Sequence, residues 1–110
     1  MQFLLLTKSN ETVEAGLPPS DDFIAAVGKF NDDLSSAGVL VNVMGIAPSS
    51  DGARVSYHGQ DREVTDGPFP HPEQLIAGFW IIEVPSGDDA VEWAKKAPFT
   101  EGEMEIRQVL

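Results

Sequence analysis

The segment 79–84 constrains the fold more than any other part of the sequence. Both faces of an extended chain here are mostly apolar, with Trp80, Ile82 and Val84 on one and Phe79, Ile81 and Glu83 on the other. This pattern predicts a central strand that is covered on both sides. A sheet with helices on one face leaves its other face bare, and the simplest cover is a second copy of the same sheet. We therefore predict a homodimer.

Apolar patterning and turn residues predict the other elements. One helix begins at the capping residue Ser20 and ends at Gly38, and a second begins within residues 86–89 and ends at Pro98. Residues 10–19 are predicted to be a loop, because Gly16, Pro18 and Pro19 break regular structure. The remaining strands are predicted at residues 3–6, 39–46, 53–58, 62–65 and 104–109.

The predicted order of elements is β-α-β-β-(β)-β-α-β, where the bracketed strand is the short segment 62–65. Two helices over one antiparallel sheet form the two-layer sandwich of the α+β class. Because a β-α-β unit lies at each end, the ferredoxin-like topology is the leading arrangement. No repeat or linker divides the chain, so residues 1–110 are expected to form one domain.

Composition excludes several classes of protein. The chain has 18 acidic and 7 basic residues, a formal charge of -11, which repels phosphate backbones and argues against direct nucleic-acid binding. It has no cysteine, hence no disulfide, thiolate metal site or cysteine nucleophile. No apolar run approaches the ~18 residues of a membrane span. We expect a cytoplasmic protein, and the sequence indicates no metal or cofactor because it lacks metal-ligand spacings and glycine-rich phosphate loops.

The tetrapeptide Asp66-Gly67-Pro68-Phe69 carries a family resemblance. Together with segments 3–6, 64–69, 73–84, 89–94 and 105–109, it resembles the YCII-related family, specifically its DGPF-domain branch. The resemblance covers nearly the whole chain. It implies a dimeric α+β barrel of ferredoxin-like subunits, which agrees with the two-sided strand.

The same resemblance gives two functional expectations. Some relatives are enzymes that act on small aromatic compounds, including a dehydrochlorinase, and others are encoded with or fused to extracytoplasmic-function sigma factors. In the enzyme-like members, a histidine on the first helix and an aspartate after the second helix are proposed as an acid–base dyad. Here residues 20–37 contain no histidine and residues 97–100 contain no aspartate, so the dyad does not carry over.

Asp66 and His58 are the candidate catalytic residues. If segment 62–65 pairs with segment 53–58, His58 lies within reach of the Asp66 loop, and the pair would suit proton transfer. The structural alternative is that Asp66 and Gly67 form a turn while Phe69 fills the core. His71 is the only other group expected to titrate near neutral pH, and both histidines are alternatively surface residues.

The ligand-binding candidates are a set of basic, loop and aromatic residues. Arg62 or Arg107 would anchor an anion through two hydrogen bonds, unless it instead pairs with nearby acids. Trp80 lines either a cavity or the dimer interface. The complete set of expected ligand contacts is Arg62, Gly67, Pro68, Phe69, His71, Trp80 and Arg107.

Two functions of different classes are compatible with these residues. The first is a homodimer that binds a small organic molecule in a cleft, with lyase-like or dehydrochlorinase-like acid–base chemistry if it is an enzyme. The second is a non-catalytic accessory module that binds a sigma factor through its acidic surface. The retained DGPF loop favours the first, and the missing dyad favours the second.

Overall fold

The computed structural model describes residues 1–110 and contains one four-stranded antiparallel sheet with helices on one face. The strands are β1 (Gln2–Lys8), β2 (Leu40–Gly45), β3 (Ala53–His58), β4 (Asp61–Asp66), β5 (Ile76–Glu83) and β6 (Met104–Gln108). The helices are α1 (Glu11–Glu14), α2 (Asp21–Ser36) and α3 (Gly87–Lys95). The sheet order β2-β5-β1-β6 is the ferredoxin-like arrangement once the β3–β4 hairpin is set aside, so the predicted fold class is confirmed.

Helix α2 begins and ends where the sequence predicts. The Ser20 hydroxyl accepts a hydrogen bond from the Phe23 amide at 3.2 Å, and Asp21 and Asp22 place negative charge in the first turn. Gly38 follows the last turn with a φ of 74°, a left-handed conformation that glycine adopts without strain. These local signals mark both ends of the helix.

The predicted loop 10–19 contains a short helix, α1, so that part of the prediction is wrong. The Asn10 side-chain oxygen caps it by accepting a hydrogen bond from the Val13 amide at 2.9 Å. The breakers Gly16, Pro18 and Pro19 all follow the helix. They limit its length, but they do not prevent a single capped turn before them.

The core lies between the sheet and helices α2 and α3. Leu5, Ile82 and Leu34 are fully buried at its centre, and Ala90 brings α3 against them. Burying each of the larger side chains contributes about 1.5–3 kcal/mol to folding. The other members of this cluster are Phe3, Phe30, Trp80 and Val84.

The opposite face of the sheet carries no helix. On β5 the residues that alternate with the buried Trp80 and Ile82 are Phe79 and Ile81, both only partly buried. They pair with apolar residues of the neighbouring strands, namely Leu6, Met44 and Leu4. The central position of the strand and its two apolar faces are therefore confirmed, whereas the cover of the second face remains a prediction; we call this set the helix-free face.

Strands β3 and β4 form a separate two-stranded sheet rather than part of the main sheet. A two-residue turn at Gly59 and Gln60 joins them, and the register pairs His58 with Asp61 and Ala53 with Asp66. Every residue of both strands is exposed. One face of this hairpin carries the apolar side chains of Val55, Val64 and Tyr57, exposed by 47%, 65% and 69%, together with Arg62 and Asp66.

Candidate functional site

A cleft of about 650 Å³ opens on the helix side of the molecule. Helix α1, the first turn of α2 and the segment that follows α3 form its walls. It is lined by Asn10, Thr12, Val13, Gly16, Leu17, Pro19, Ser20, Phe23, Pro48, Pro98, Phe99, Thr100 and Glu101. Its volume falls within the range of about 300–1,000 Å³ that is typical of small-molecule sites.

Aromatic rings connect this cleft to the core. Phe23 of α2 and Phe99 of the following segment face each other with ring centroids 5.6 Å apart. Behind them, Trp80 meets Phe99 edge-on at 6.2 Å and Phe30 edge-on at 5.4 Å. Such tilted and edge-on pairs hold aromatic rings in defined orientations. The rings of Phe23 and Phe99 therefore give the cleft a preformed aromatic wall.

One charged side chain, Glu101, lies in the cleft lining. Its carboxylate has no hydrogen-bond or ion-pair partner within the chain, and no Lys, Arg or His lines the cleft. The other polar groups at the rim are hydroxyls and one amide, those of Thr12, Ser20, Thr100 and Asn10. The site is thus apolar inside, with neutral polar groups and one negative charge.

The DGPF loop lies next to the cleft and binds the segment that supplies Pro48. A Cβ on Gly67 would lie 1.7 Å from the Ser49 carbonyl oxygen, so only glycine permits this approach. The Gly67 amide donates to the Gly52 carbonyl at 2.9 Å, and the Phe69 amide donates to the Ser49 hydroxyl at 2.9 Å. The Gly67–Pro68 peptide bond is cis, and Pro68 is exposed.

Glu14 of α1 binds the segment that contains Pro48 and Ser49 through two hydrogen bonds. One carboxylate oxygen accepts the Ser49 hydroxyl, and the other accepts the Ser49 amide at 2.9 Å. Hydrogen bonds to a charged acceptor are stronger than neutral ones, each worth about 1.5–3 kcal/mol. The DGPF loop, Ser49 and α1 therefore form one hydrogen-bonded unit, and this geometry supports the structural alternative for the tetrapeptide.

The structural alternative also predicted that Phe69 fills the core, but the ring of Phe69 lies outside the core. It is half-buried, and the Arg54 guanidinium stacks on it at 3.9 Å from the ring centroid. The short chain between Gly67 and Phe69 keeps the ring next to β3 and away from the helices. Phe69 therefore packs against the base of the hairpin, and it does not line the cleft.

The predicted proximity of Asp66 to His58 is wrong within one protomer. Asp66 lies at the base of the hairpin opposite Ala53, whereas His58 lies at the tip opposite Asp61. Five residues of extended strand separate the two positions, roughly 17 Å at about 3.3 Å per residue. Both side chains are exposed, and neither lines the cleft.

The remaining basic and imidazole candidates also lie outside the cleft. Arg62 donates to the carbonyl oxygens of Gly59 and Asp61, both at 2.9 Å, and stacks on Tyr57. His71 has a φ of 61°, and its Nδ1 lies 3.6 Å from a Glu73 carboxylate oxygen. The structure does not bring these side chains together.

Arg107 lies on the edge strand β6, where it pairs with a neighbouring acid, as the alternative for the arginines predicted. It donates to Glu105 at 3.1 Å. This hydrogen bond, followed by the attraction of Lys8, lowers the pKa of the Glu105 carboxyl from its usual value. Arg107 is therefore occupied by an acid of its own strand.

Trp80 is a core residue and does not line the cleft. It is 5% exposed, and its indole nitrogen donates to the Asn31 side-chain oxygen at 2.7 Å. The sequence left its face undecided between cavity and interface. The register settles the question, because Trp80 pairs with Leu5 and Val43 on the helix side of the sheet. Its contribution to the cleft is to support Phe99.

Sequence reasoning missed Phe23, Phe99, Glu101, Glu14 and Ser49. Phe23 had a signal as the first apolar residue after a helix cap, and Ser49 had only a general turn composition. Phe99 and Glu101 lie in a short segment after a helix-ending proline, with no periodicity to place them. Nowhere do three or more His, Cys, Asp or Glu side chains lie close enough together to hold a metal ion. No helix has both the length and the apolar character that crossing a membrane requires.

Fold and cleft together define a ferredoxin-like α+β domain with an aromatic-walled site beside its DGPF loop. The family model of the YCII-related domain matches residues 1–110, and the chain therefore belongs to this family. Among curated proteins, none matches the chain.

The first turn of α2 and the segment after α3 meet at the cleft, where they contribute Phe23 and Phe99. The contact between these two elements is therefore apolar.

Proposed function

We propose that this protein is a homodimer that binds a small organic molecule in the aromatic-walled cleft. The observation that carries the proposal is the preformed cavity of about 650 Å³ between Phe23, Phe99 and α1. Small-molecule sites combine an apolar surface with a few polar groups that orient the ligand. The hydroxyls and the single carboxylate at this rim meet that description.

Our proposal is binding, and it does not include catalysis by Asp66 and His58 within one protomer. In general acid–base catalysis each group lies within about 2.6–3.2 Å of the substrate atom whose proton it transfers, and both groups must reach the same small substrate. The separation of roughly 17 Å along the hairpin is incompatible with that requirement. The lyase-like chemistry expected from some relatives has no pair of residues to carry it at this cleft.

The homodimer part of the proposal rests on unburied apolar surface. The chain exposes 7459 Å², which is about 1,500 Å² more than a compact monomer of 11.9 kDa is expected to expose. Stable interfaces bury about 800 Å² per partner. The helix-free face and the hairpin face with Val55, Val64 and Tyr57 are the apolar surfaces that such an interface would bury. A lone hairpin is also marginally stable in water, so covering it would stabilise its strands.

A thermal-shift screen with aromatic fragments, preceded by native mass spectrometry for co-purified compounds, tests ligand binding. A fragment that occupies the cleft raises the melting temperature by mass action. The Phe99→Ala variant should lose that shift, whereas Val91→Ala, an exposed change on α3, should keep it. Equal shifts in both variants would place the ligand elsewhere, and a screen without any shift would contradict the proposal.

A second candidate function is favoured by the charge of -11 together with the missing dyad. In this alternative the protein is an accessory module that binds a sigma factor through electrostatic attraction. Pull-down from native lysate at low salt tests it. A stoichiometric transcription protein that is released by added salt is the expected result, and absence of such a protein after crosslinking contradicts it.

A further inference from the structure

We propose that the cleft selects organic cations, specifically an ammonium group carried on an apolar or aromatic body. The Glu101 carboxylate and the ring faces of Phe23 and Phe99 would hold the ammonium group. The inference rests on the proposed function, because it names the chemical class of ligand for the same cleft. It reverses the charge that the sequence predicted, since Arg62 and Arg107 were expected to anchor an anion.

The distribution of charge around the cleft is the first argument. Glu101 is its one charged lining residue, and its carboxylate has no partner in the chain. Four cationic side chains are ion-paired with acids elsewhere, namely Lys8, Lys29, Lys95 and Arg107. No basic group is therefore present to neutralise an anionic ligand, and the overall charge of -11 opposes its approach.

The aromatic rings give an independent second argument. The other three cations, Arg54, Arg62 and Lys96, each lie over an aromatic ring, with centroid distances of 3.9, 4.8 and 4.4 Å. Phe23 and Phe99 line a cavity without any such cation. A ligand ammonium group in the cleft would meet aromatic surface that no side-chain cation of the chain contacts, and aromatic rings attract cations.

The shape of the walls supports a cation with an apolar body rather than a small inorganic one. Pro19, Pro48 and Pro98 add rigid apolar surface to the two phenylalanines, while Glu101 is exposed at the rim. An elongated amine can therefore place its hydrocarbon part among prolines and rings and direct its charged end to the carboxylate. A hydrated metal ion would gain nothing from most of this surface.

Three isosteric probes test the inference: 3-phenylpropylamine, 3-phenylpropanol and 3-phenylpropionate. Titrations followed by NMR of the full chain give their dissociation constants and the residues that respond. The amine should bind about tenfold more tightly than the alcohol, and the propionate more weakly than both. The advantage of the amine should fall as salt is added, because its contact with Glu101 is exposed to solvent.

Two variants distinguish the contribution of the Glu101 carboxylate from the general effect of removing one negative charge. Glu101→Gln should reduce the affinity of the amine to that of the alcohol and leave the alcohol unchanged. Glu103→Gln removes the same charge from the same segment, and Glu103 lies outside the cleft lining although it shares a neighbouring cavity with Glu101, so the preference for the amine should persist. Both side chains are exposed, and one-dimensional NMR spectra confirm that the variants are folded.

The outcomes distinguish the inference from the proposed function. If the alcohol or the propionate binds in the cleft as tightly as the amine, the cation preference is wrong while the binding function stands. An amine advantage that survives Glu101→Gln would also refute the inference. If none of the three probes perturbs the cleft residues, the inference and the proposed function both fail.

Discussion

Substitution of Gly67 by alanine tests the claim that the DGPF loop is a structural clamp. The new Cβ would lie 1.7 Å from the Ser49 carbonyl oxygen and 2.6 Å from its carbon, so backbone must move. The displacement puts at risk the Gly67–Gly52 hydrogen bond and the Phe69–Ser49 hydrogen bond, each worth about 1 kcal/mol. Overpacking adds about 1–3 kcal/mol. The free energy of unfolding should therefore fall by about 3 kcal/mol or more.

The assay is thermal unfolding at fixed protein concentration, followed by circular dichroism. For 110 residues, 3 kcal/mol corresponds to a decrease of about 13 °C in the melting temperature. The matched control is Gly28→Ala in α2, where an added Cβ meets nothing within 4 Å. That change should stabilise the protein by about 1 kcal/mol, because alanine favours helix over glycine. If the Gly67→Ala variant has the same melting temperature as the wild type, the claim that the DGPF loop is a structural clamp is refuted.

Three further predictions concern the helix-free face, the cap of α2 and the β6 carboxylate. Ile81→Lys places a charge on the helix-free face and should yield a particle near 11.9 kDa by light scattering. The control Ile24→Lys, at an exposed position of α2, should stay near twice that mass, and a monomeric wild type would contradict the dimer. Ser20→Ala should lower the unfolding free energy by about 1 kcal/mol in denaturant titrations, and an unchanged midpoint would show that the cap is unimportant. Because the pKa of Glu105 is lowered in the fold, its stabilising contribution is present above the ordinary glutamate pKa of 4.5 and is lost as pH falls through the folded pKa. Arg107→Gln should raise the pKa of Glu105 in an NMR titration, and an unchanged pKa would contradict this pairing.

Local signals in the sequence were sufficient for much of the fold. The alternation in residues 79–84 identified the central strand and both of its apolar faces, because side chains of a strand alternate with period two. Ser20 and Gly38 marked the ends of α2 through cap chemistry that depends on a few neighbouring residues. Strand β3 was predicted at its observed bounds for the same reason, since its patterning lies within one segment.

The cleft could not be predicted in this way because its walls come from distant parts of the chain. Phe23 and Phe99 are in contact only because α2 and the segment after α3 pack on the same face of the sheet. The pairing of β3 with β4 was predicted correctly, but its consequence for His58 was not. Antiparallel register places His58 next to the turn and Asp66 at the other end. The cytoplasmic location and assignment to the DGPF branch remain predictions from the sequence.

The DGPF loop acts on the cleft through a series of hydrogen bonds. Gly67 and Phe69 act on Ser49, and Ser49 joins the loop to Glu14 of α1. Helix α1 and Pro48 are walls of the cleft, so the loop determines the shape of the cavity without contributing a reacting group. The residues that support the cavity are therefore different from Phe23, Phe99 and Glu101, which line it and would contact a ligand.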